Sequence, residues 1–175
     1  YQRGVAGRGV KDAIGVAEDV DMYAAGIGVV SCAFGYQGHK CSDCSRLIVD
    51  EKVHDELLAK IVEQTKRLKM GQPTDGETNV AAVINKRSFD STLLYIEKGK
   101  AEGGQVLTGG SGDDSLGFFI EPTIIDDVQP GSTLEQEEVF APVLAVIKAS
   151  DFDHALESAN DTEFGLTGAL YSASQ

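Results

Sequence analysis

The residues best suited to covalent chemistry lie together in the run Phe34-Gly-Tyr-Gln-Gly38-His39-Lys40-Cys41-Ser42-Asp43-Cys44-Ser45-Arg46. Cys41 follows a glycine turn and is flanked by a lysine and a histidine. A thiolate is the nucleophilic form of cysteine, and cationic neighbours such as Lys40 or a protonated His39 favour it. An apolar stretch, Ala24 to Phe34, leads into the run, and the short strand-like Leu47 to Val49 leads out. A thiol held between two packed elements is the arrangement that covalent catalysis at a carbonyl carbon needs. Cys32, on the apolar stretch, reads as a small buried hydrophobe.

Two further chemistries compete for the same residues. Cys41-Ser-Asp-Cys44 has the C-x-x-C spacing of a redox pair, whose reversible disulfide would silence the nucleophile. His39, Cys41 and Cys44 offer three zinc ligands, but no fourth lies nearby and no second paired motif is present, so no metal is expected.

The elements that must position Cys41 follow from periodicity. Glu18 to Asp21 supplies carboxylates that cap a helix, and Met22 to Phe34 is apolar nearly all round, a buried helix. Val53, Leu57, Leu58, Ile61, Val62 and Leu68 give helical spacing over Glu51 to Lys69, which Gly71 and Pro73 stop. A third helix is expected from Lys86 to Glu102. Gln105 to Leu107, Phe118 to Ile125, Val143 to Lys148 and Leu166 to Tyr171 read as strands, and Asp151 caps a short helix. Strands alternating with helices indicate an α/β domain with a largely parallel twisted sheet flanked by helices.

The bulk numbers fit one globular domain: 175 residues, 42% hydrophobic, 25% charged. A net charge of -13 argues against nucleic acid and anionic membrane surfaces, and otherwise serves solubility. No apolar run approaches the roughly 20 residues that span a bilayer. Three clustered cysteines are not a disulfide framework, so a reducing cytoplasm is expected. The chain opens at Tyr1 inside a glycine-rich stretch, and is expected to be a piece of something longer.

Gly38-x-x-Cys41, with Phe34 before and Arg46 after, resembles the catalytic-cysteine signature of the aldehyde dehydrogenases. Glu137-Glu138-Val139-Phe140-Ala141-Pro142 resembles that family's Glu-Glu-Ile/Val-Phe-Gly-Pro signature. Asn160-Asp-Thr-Glu-Phe164-Gly165-Leu166 is similar to a third, Asn-x-Thr-x-Tyr-Gly-Leu. Lys11-Asp-Ala-Ile14, Phe119-Ile-Glu-Pro-Thr123 and Asp151-Phe-Asp-His-Ala-Leu156 carry a finer resemblance to the 1-pyrroline-5-carboxylate dehydrogenases of proline breakdown.

The resemblance implies that residues 1–175 are an incomplete portion of an aldehyde dehydrogenase catalytic domain. The dinucleotide-binding portion and the C-terminal oligomerisation arm would be absent. The parent activity it implies is NAD-dependent (or NADP-dependent) oxidation of glutamate semialdehyde to glutamate, through a cysteine thiohemiacetal and thioester. Cys41 would be the nucleophile, with its backbone N–H holding the oxyanion, and Ser42 would bind the substrate carboxylate. Glu138 would bind the nicotinamide-ribose hydroxyls, Phe140 would steady the nicotinamide ring, and Arg46 would anchor the loop. Departures are as informative. Gly7 stands where the family's general-base glutamate belongs, Val10 where a glycine belongs, His39 for the usual Gln/Glu, and Ala141 for the usual glycine. The chain alone is therefore expected to bind no cofactor and to oxidise no aldehyde. Its expected partners are a small aldehyde and either a second copy or a complementing chain with the dinucleotide-binding portion. A non-catalytic relic or association module is the alternative.

Overall fold

Runs such as Arg46-Leu-Ile-Val-Asp50 and Val143-Leu-Ala-Val-Ile-Lys-Ala149 are apolar on both alternating faces, the pattern of strands covered on both sides. In the computed structural model, which describes residues 9–174, they lie at the centre of a six-stranded sheet. In chain order the elements are β1 (Ala13–Val16), α1 (Met22–Phe34), β2 (Arg46–Asp50), α2 (His54–Thr65), α3 (Lys86–Ala101), β3 (Gln105–Thr108), β4 (Gly112–Asp113), β5 (Phe119–Ile120), β6 (Thr123–Asp126), α4 (Thr133–Gln136), β7 (Val143–Ala149), α5 (Phe152–Asn160) and β8 (Gly168–Tyr171). The sheet order is β3-β6-β7-β2-β1-β8, parallel throughout except for β3 against β6. Strands β4 and β5 form a separate hairpin.

Alternate residues feed two cores. Leu47, Val49, Leu144 and Val146 face α1 and α2, packing on Val29, Phe34, Leu57 and Ile61. Ile48, Ala145 and Ile147 face the other way, with Ile96 of α3, Leu134 of α4 and the small residues Ala155 and Ala159 of α5. Burying each large aliphatic side chain contributes roughly 1.5–3 kcal/mol. The caps are as expected. Asp21 accepts from the N–H groups of Tyr23 and Ala24, and Asp151 accepts from His154 at 2.8 Å. Asn85 caps α3 through the Ser88 N–H.

The mostly parallel α/β architecture matches expectation; β1, β4 and α4 were not foreseen from the sequence, and three expected elements differ locally. The stretch Phe118 to Ile125 is two strands, broken at Glu121-Pro122, because proline has no N–H for a ladder and Phe119–Ile120 pairs back onto Gly112–Asp113. The second helix is shorter at both ends, beginning at His54 and closing at Thr65. The last strand begins at Gly168 rather than Leu166. Gly7 lies outside the described residues.

Candidate active site

Four loops converge because each enters a parallel strand from the same edge of the sheet. Gly9–Asp12 leads into β1, Gly38–Ser45 into β2, Glu137–Pro142 into β7 and Phe164–Thr167 into β8. The chemistry-bearing motifs therefore share the amino edge, opposite to the carboxyl edge that open α/β sheets ordinarily use.

The thiol loop is shaped by an abrupt end to α1. Gly35–Gly38 makes a tight turn in which Tyr36, Gln37 and Gly38 all adopt left-handed backbone, φ 56, 58 and 70°. Gln37 is held there by accepting the Ala81 N–H at 3.1 Å. At Gly38 only glycine fits, since a Cβ would lie 2.3 Å from the Ala141 carbonyl oxygen. This close approach seats the thiol loop on the Phe140–Pro142 segment.

A clip follows. The Asp43 carboxylate accepts the Lys40 N–H at 2.8 Å, the Asp43 N–H donates to the Lys40 carbonyl at 3.1 Å, and Lys40 Nζ pairs with Asp43 Oδ1 at 2.9 Å. Cys41 and Ser42 sit exposed at its tip. The Lys40 pKa is raised, first by its hydrogen bond to Asp43. Its charge is therefore committed to a carboxylate rather than free to favour a thiolate, a correction to the expected role of Lys40. His39 is likewise engaged: its ring stacks on Phe140, with centroids 5.7 Å apart and planes 9° apart. Burial lowers the His39 pKa, favouring the neutral ring, with Asp43 opposing.

The other two cysteines lie below the exposed tip. Cys44 is buried, its thiol donates to the Arg46 carbonyl at 3.2 Å, and burial pushes its pKa far up. That removes the geometry of a C-x-x-C pair in this conformation. Cys32 is half-buried, and its thiol lies 3.6 Å from the Ser42 carbonyl oxygen. Sequence reasoning treated Cys32 as core, yet it sits beneath the thiol loop.

Opposite the clip, Glu138 Oε1 accepts the Val10 N–H at 2.9 Å. A Cβ on Gly9 would lie 2.6 Å from the Phe164 ring and 3.2 Å from Glu138 Oε2, so Gly9 is clasped between two of the motifs. Phe140 has φ 54°, a strained conformation for a residue with a side chain, and its ring is 41% exposed. A cavity of about 20 Å³, room for roughly one water, lies between the clip and this segment, lined by Val10, Gly38, Lys40, Ser45, Glu138 and Phe140 among others.

Beneath the loops is a buried ionic layer. Arg46, 1% exposed, donates to the Lys11, Ser158 and Ala159 carbonyls at 2.8–3.2 Å. It thereby ties β1 and the carbonyl end of α5 to β2, where a cation also suits the helix dipole. This is the anchoring role expected of it. Lys11 is 3% exposed and its pKa is pushed down to about 7, first by burial and next by Arg46. Glu135 is fully buried and accepts the Gly131 N–H. Neither Lys11 nor Glu135 carried a sequence signal distinguishing it from a solvated charge.

The site and fold together define the class. The sequence pattern of the aldehyde dehydrogenase family matches residues 2–175, and the chain belongs to that family. Among curated relatives, it is 50% identical over 171 residues to a 1-pyrroline-5-carboxylate dehydrogenase of Geobacillus sp. (strain WCH70), covering 98% of this chain and 33% of that protein. The relative of the same name from Bacillus subtilis (strain 168) is 49% identical over 169 residues, covering 97% of this chain and 33% of its own length. The crystal structure of the Thermus 1-pyrroline-5-carboxylate dehydrogenase with bound NAD superimposes with a TM-score of 0.91 at 42% identity, covering 95% of this chain and 32% of that one. The chain thus spans about a third of the length of the curated relatives it matches.

Proposed function

We propose that this chain is the cysteine-bearing part of an enzyme that oxidises glutamate semialdehyde to glutamate with NAD, with residues 1–175 belonging to its catalytic domain. The observation that carries the reading is the convergence of the Cys41, Glu138 and Phe164 loops at one sheet edge, locked by Gly38 against Ala141 and by Gly9 against Phe164. The Cys41 thiolate adds to the aldehyde carbon, forming a C–S bond, while the carbonyl oxygen becomes an alkoxide held by the Cys41 N–H. Ser42, exposed beside it, hydrogen-bonds the substrate carboxylate. Departure of hydride from the same carbon leaves a thioester on Cys41. Water then attacks the thioester, releasing the carboxylate and restoring the thiolate.

The residues present fit the nicotinamide end of a cofactor. Glu138 keeps Oε2 beyond its bond to Val10, and Phe140 presents an exposed ring steadied by His39. NAD, when bound, supplies the hydride acceptor; Glu138 would hold its ribose hydroxyls and Phe140 its ring. Three cysteines clustered within one segment, an odd number, suit a reducing compartment such as the cytoplasm better than a disulfide framework. Among the described residues, no helix is long and apolar enough to cross a membrane.

The test joins this chain, carrying Gly7→Glu, to the remaining two-thirds of the Bacillus subtilis relative in place of its matching segment. The chimera should reduce NAD with glutamate semialdehyde, and Ser42→Ala should raise KM for that substrate more than for propionaldehyde. With Gly7 retained, hydrolysis of the thioester should slow by about 10²–10⁴-fold, the usual worth of a general base. The acyl group should then accumulate on Cys41, as seen by peptide mass. Acylation of Cys32 instead, or equal turnover with Gly7 and Glu at that position, would refute the assignment.

A further inference from the structure

Asp43 is buried, 7% exposed, and makes all three bonds of the clip to one residue. It accepts the Lys40 N–H, donates its own N–H to the Lys40 carbonyl, and pairs with Lys40 Nζ. Cys41 and Ser42 are the two residues enclosed, so the turn that carries them is held at both ends. The Lys40 ammonium is drawn back as well. It would lie 3.5 Å from a Cβ on Gly35, and so rests against the end of α1, where unpaired carbonyls favour a cation.

Other charges around the loop are few. His39 lies on the same loop, and burial favours its neutral ring. Cys32 of α1 lies beneath, its thiol 3.6 Å from the Ser42 carbonyl oxygen. Glu138, ahead of β7, lines the small cavity together with Lys40 and Asp43. Lys11, ahead of β1, loses its proton near 7, and Arg46 of β2 is occupied by the Lys11, Ser158 and Ala159 carbonyls. Where cysteine thiols ordinarily ionise, about pH 8–9, the charges nearest Cys41 in the chain are therefore Lys40 and Asp43. As a pair they sum to zero.

We infer that Asp43 is the positioning residue of the thiol loop: it fixes the turn that presents Cys41 and Ser42, and it cancels the Lys40 charge that would otherwise favour the Cys41 thiolate. The inference deepens the assignment of Cys41 as nucleophile and rests on that assignment for its consequence in turnover. Alkylation tests it on the 175-residue chain without cofactor or substrate, so the two fail separately.

The probe is iodoacetamide, with labelling of the Cys41 peptide followed by mass from about pH 6.5 to about pH 10.5. Asp43→Asn keeps an oxygen to accept the Lys40 N–H and removes the charge. It should label about three- to tenfold faster than the unsubstituted chain near pH 7.5, the effect of one unit charge released at an adjacent residue. Lys40→Met leaves the carboxylate uncompensated and should label slower by a similar factor. Being at an exposed position, it tests the cancellation from the other side should Asp43→Asn fail to fold. The double variant should return to within about twofold of the unsubstituted chain, and all four should converge near pH 10.5, where thiols are ionised throughout. Asp43→Ala should in addition label faster at every pH and speed hydrogen exchange at the amides of residues 41–43, because the turn itself is released. Equal rates for Asp43→Asn and the unsubstituted chain near pH 7.5 would overturn the inference. So would a difference that persists undiminished to about pH 10.5, or a double variant as fast as Asp43→Asn alone.

Discussion

Replacing Gly38 with alanine should separate two effects that the thiol loop combines. The backbone there has φ +70°, and an added Cβ would meet the Ala141 carbonyl oxygen at 2.3 Å and its carbon at 2.6 Å. That carbonyl cannot retreat cheaply. It accepts the Val143 N–H at 2.7 Å, and the next carbonyl, of Pro142, accepts the Thr123 N–H at 2.9 Å, so both are fixed at the start of β7. Gly131 provides the control, with φ +76° and nothing within 4 Å of its added Cβ. Left-handed backbone costs a non-glycine residue about 1–2 kcal/mol, less about 0.4–1 recovered from the stiffer unfolded chain, so Gly131→Ala should lose about 1 kcal/mol. Gly38→Ala should lose that plus about 1–3 kcal/mol for overpacking, about 2–4 in all. Urea unfolding with a common m-value measures both. In the same variant Cys41 should change its alkylation rate, since the loop must lift from Phe140. Equal losses for the two variants would sink the claim that Gly38 marks a close backbone approach.

Arg46→Met should destabilise the chain by about 3–5 kcal/mol in thermal or urea unfolding, because it strands the Lys11, Ser158 and Ala159 carbonyls in a buried site; a loss below about 1 kcal/mol would contradict this. Iodoacetamide followed by peptide mass analysis should label Cys41 first, Cys32 more slowly and Cys44 only on unfolding, since Cys44 is buried with its thiol pKa raised. Lys11 titrates near 7 when folded against 10.5 when free, so between these values the unfolded chain holds a proton that the folded one lacks. Its contribution therefore makes stability rise with pH across that window and flatten below about 7. Lys11→Met should remove this slope, and a pH–stability curve parallel to that of the unsubstituted chain would show that Lys11 is charged in the fold.

Much of the architecture was readable because its signals are local. Asp21 and Asp151 sit where caps belong, and the doubly apolar runs of β2 and β7 declare a sheet covered on both faces. The hairpin of β4 and β5 was not readable, since two-residue strands carry no period and the break depends on where Pro122 falls. At the site, the three motifs marked the participating loops, but not which partners their side chains would choose. Lys40 beside Cys41 reads as a thiolate's counter-ion until Asp43, three residues on, is seen to take it. The His39–Phe140 stack joins residues 101 positions apart, and no spacing rule reaches that far.

The placement of the motif loops on the amino edge divides the molecule by inheritance as well as by geometry. The segments after the strands, Ala17–Val20, Glu51–Val53 and Ser150–Asp151, lie at the edge of the sheet opposite the thiol loop. A lineage can lengthen, recharge or replace these turns while the thiol loop stays untouched, and an engineer can insert a reporter at Glu51-Lys52 on the same grounds. Changes in the carboxyl-edge turns and changes in what the thiol loop reacts with can therefore accumulate on separate edges of one sheet.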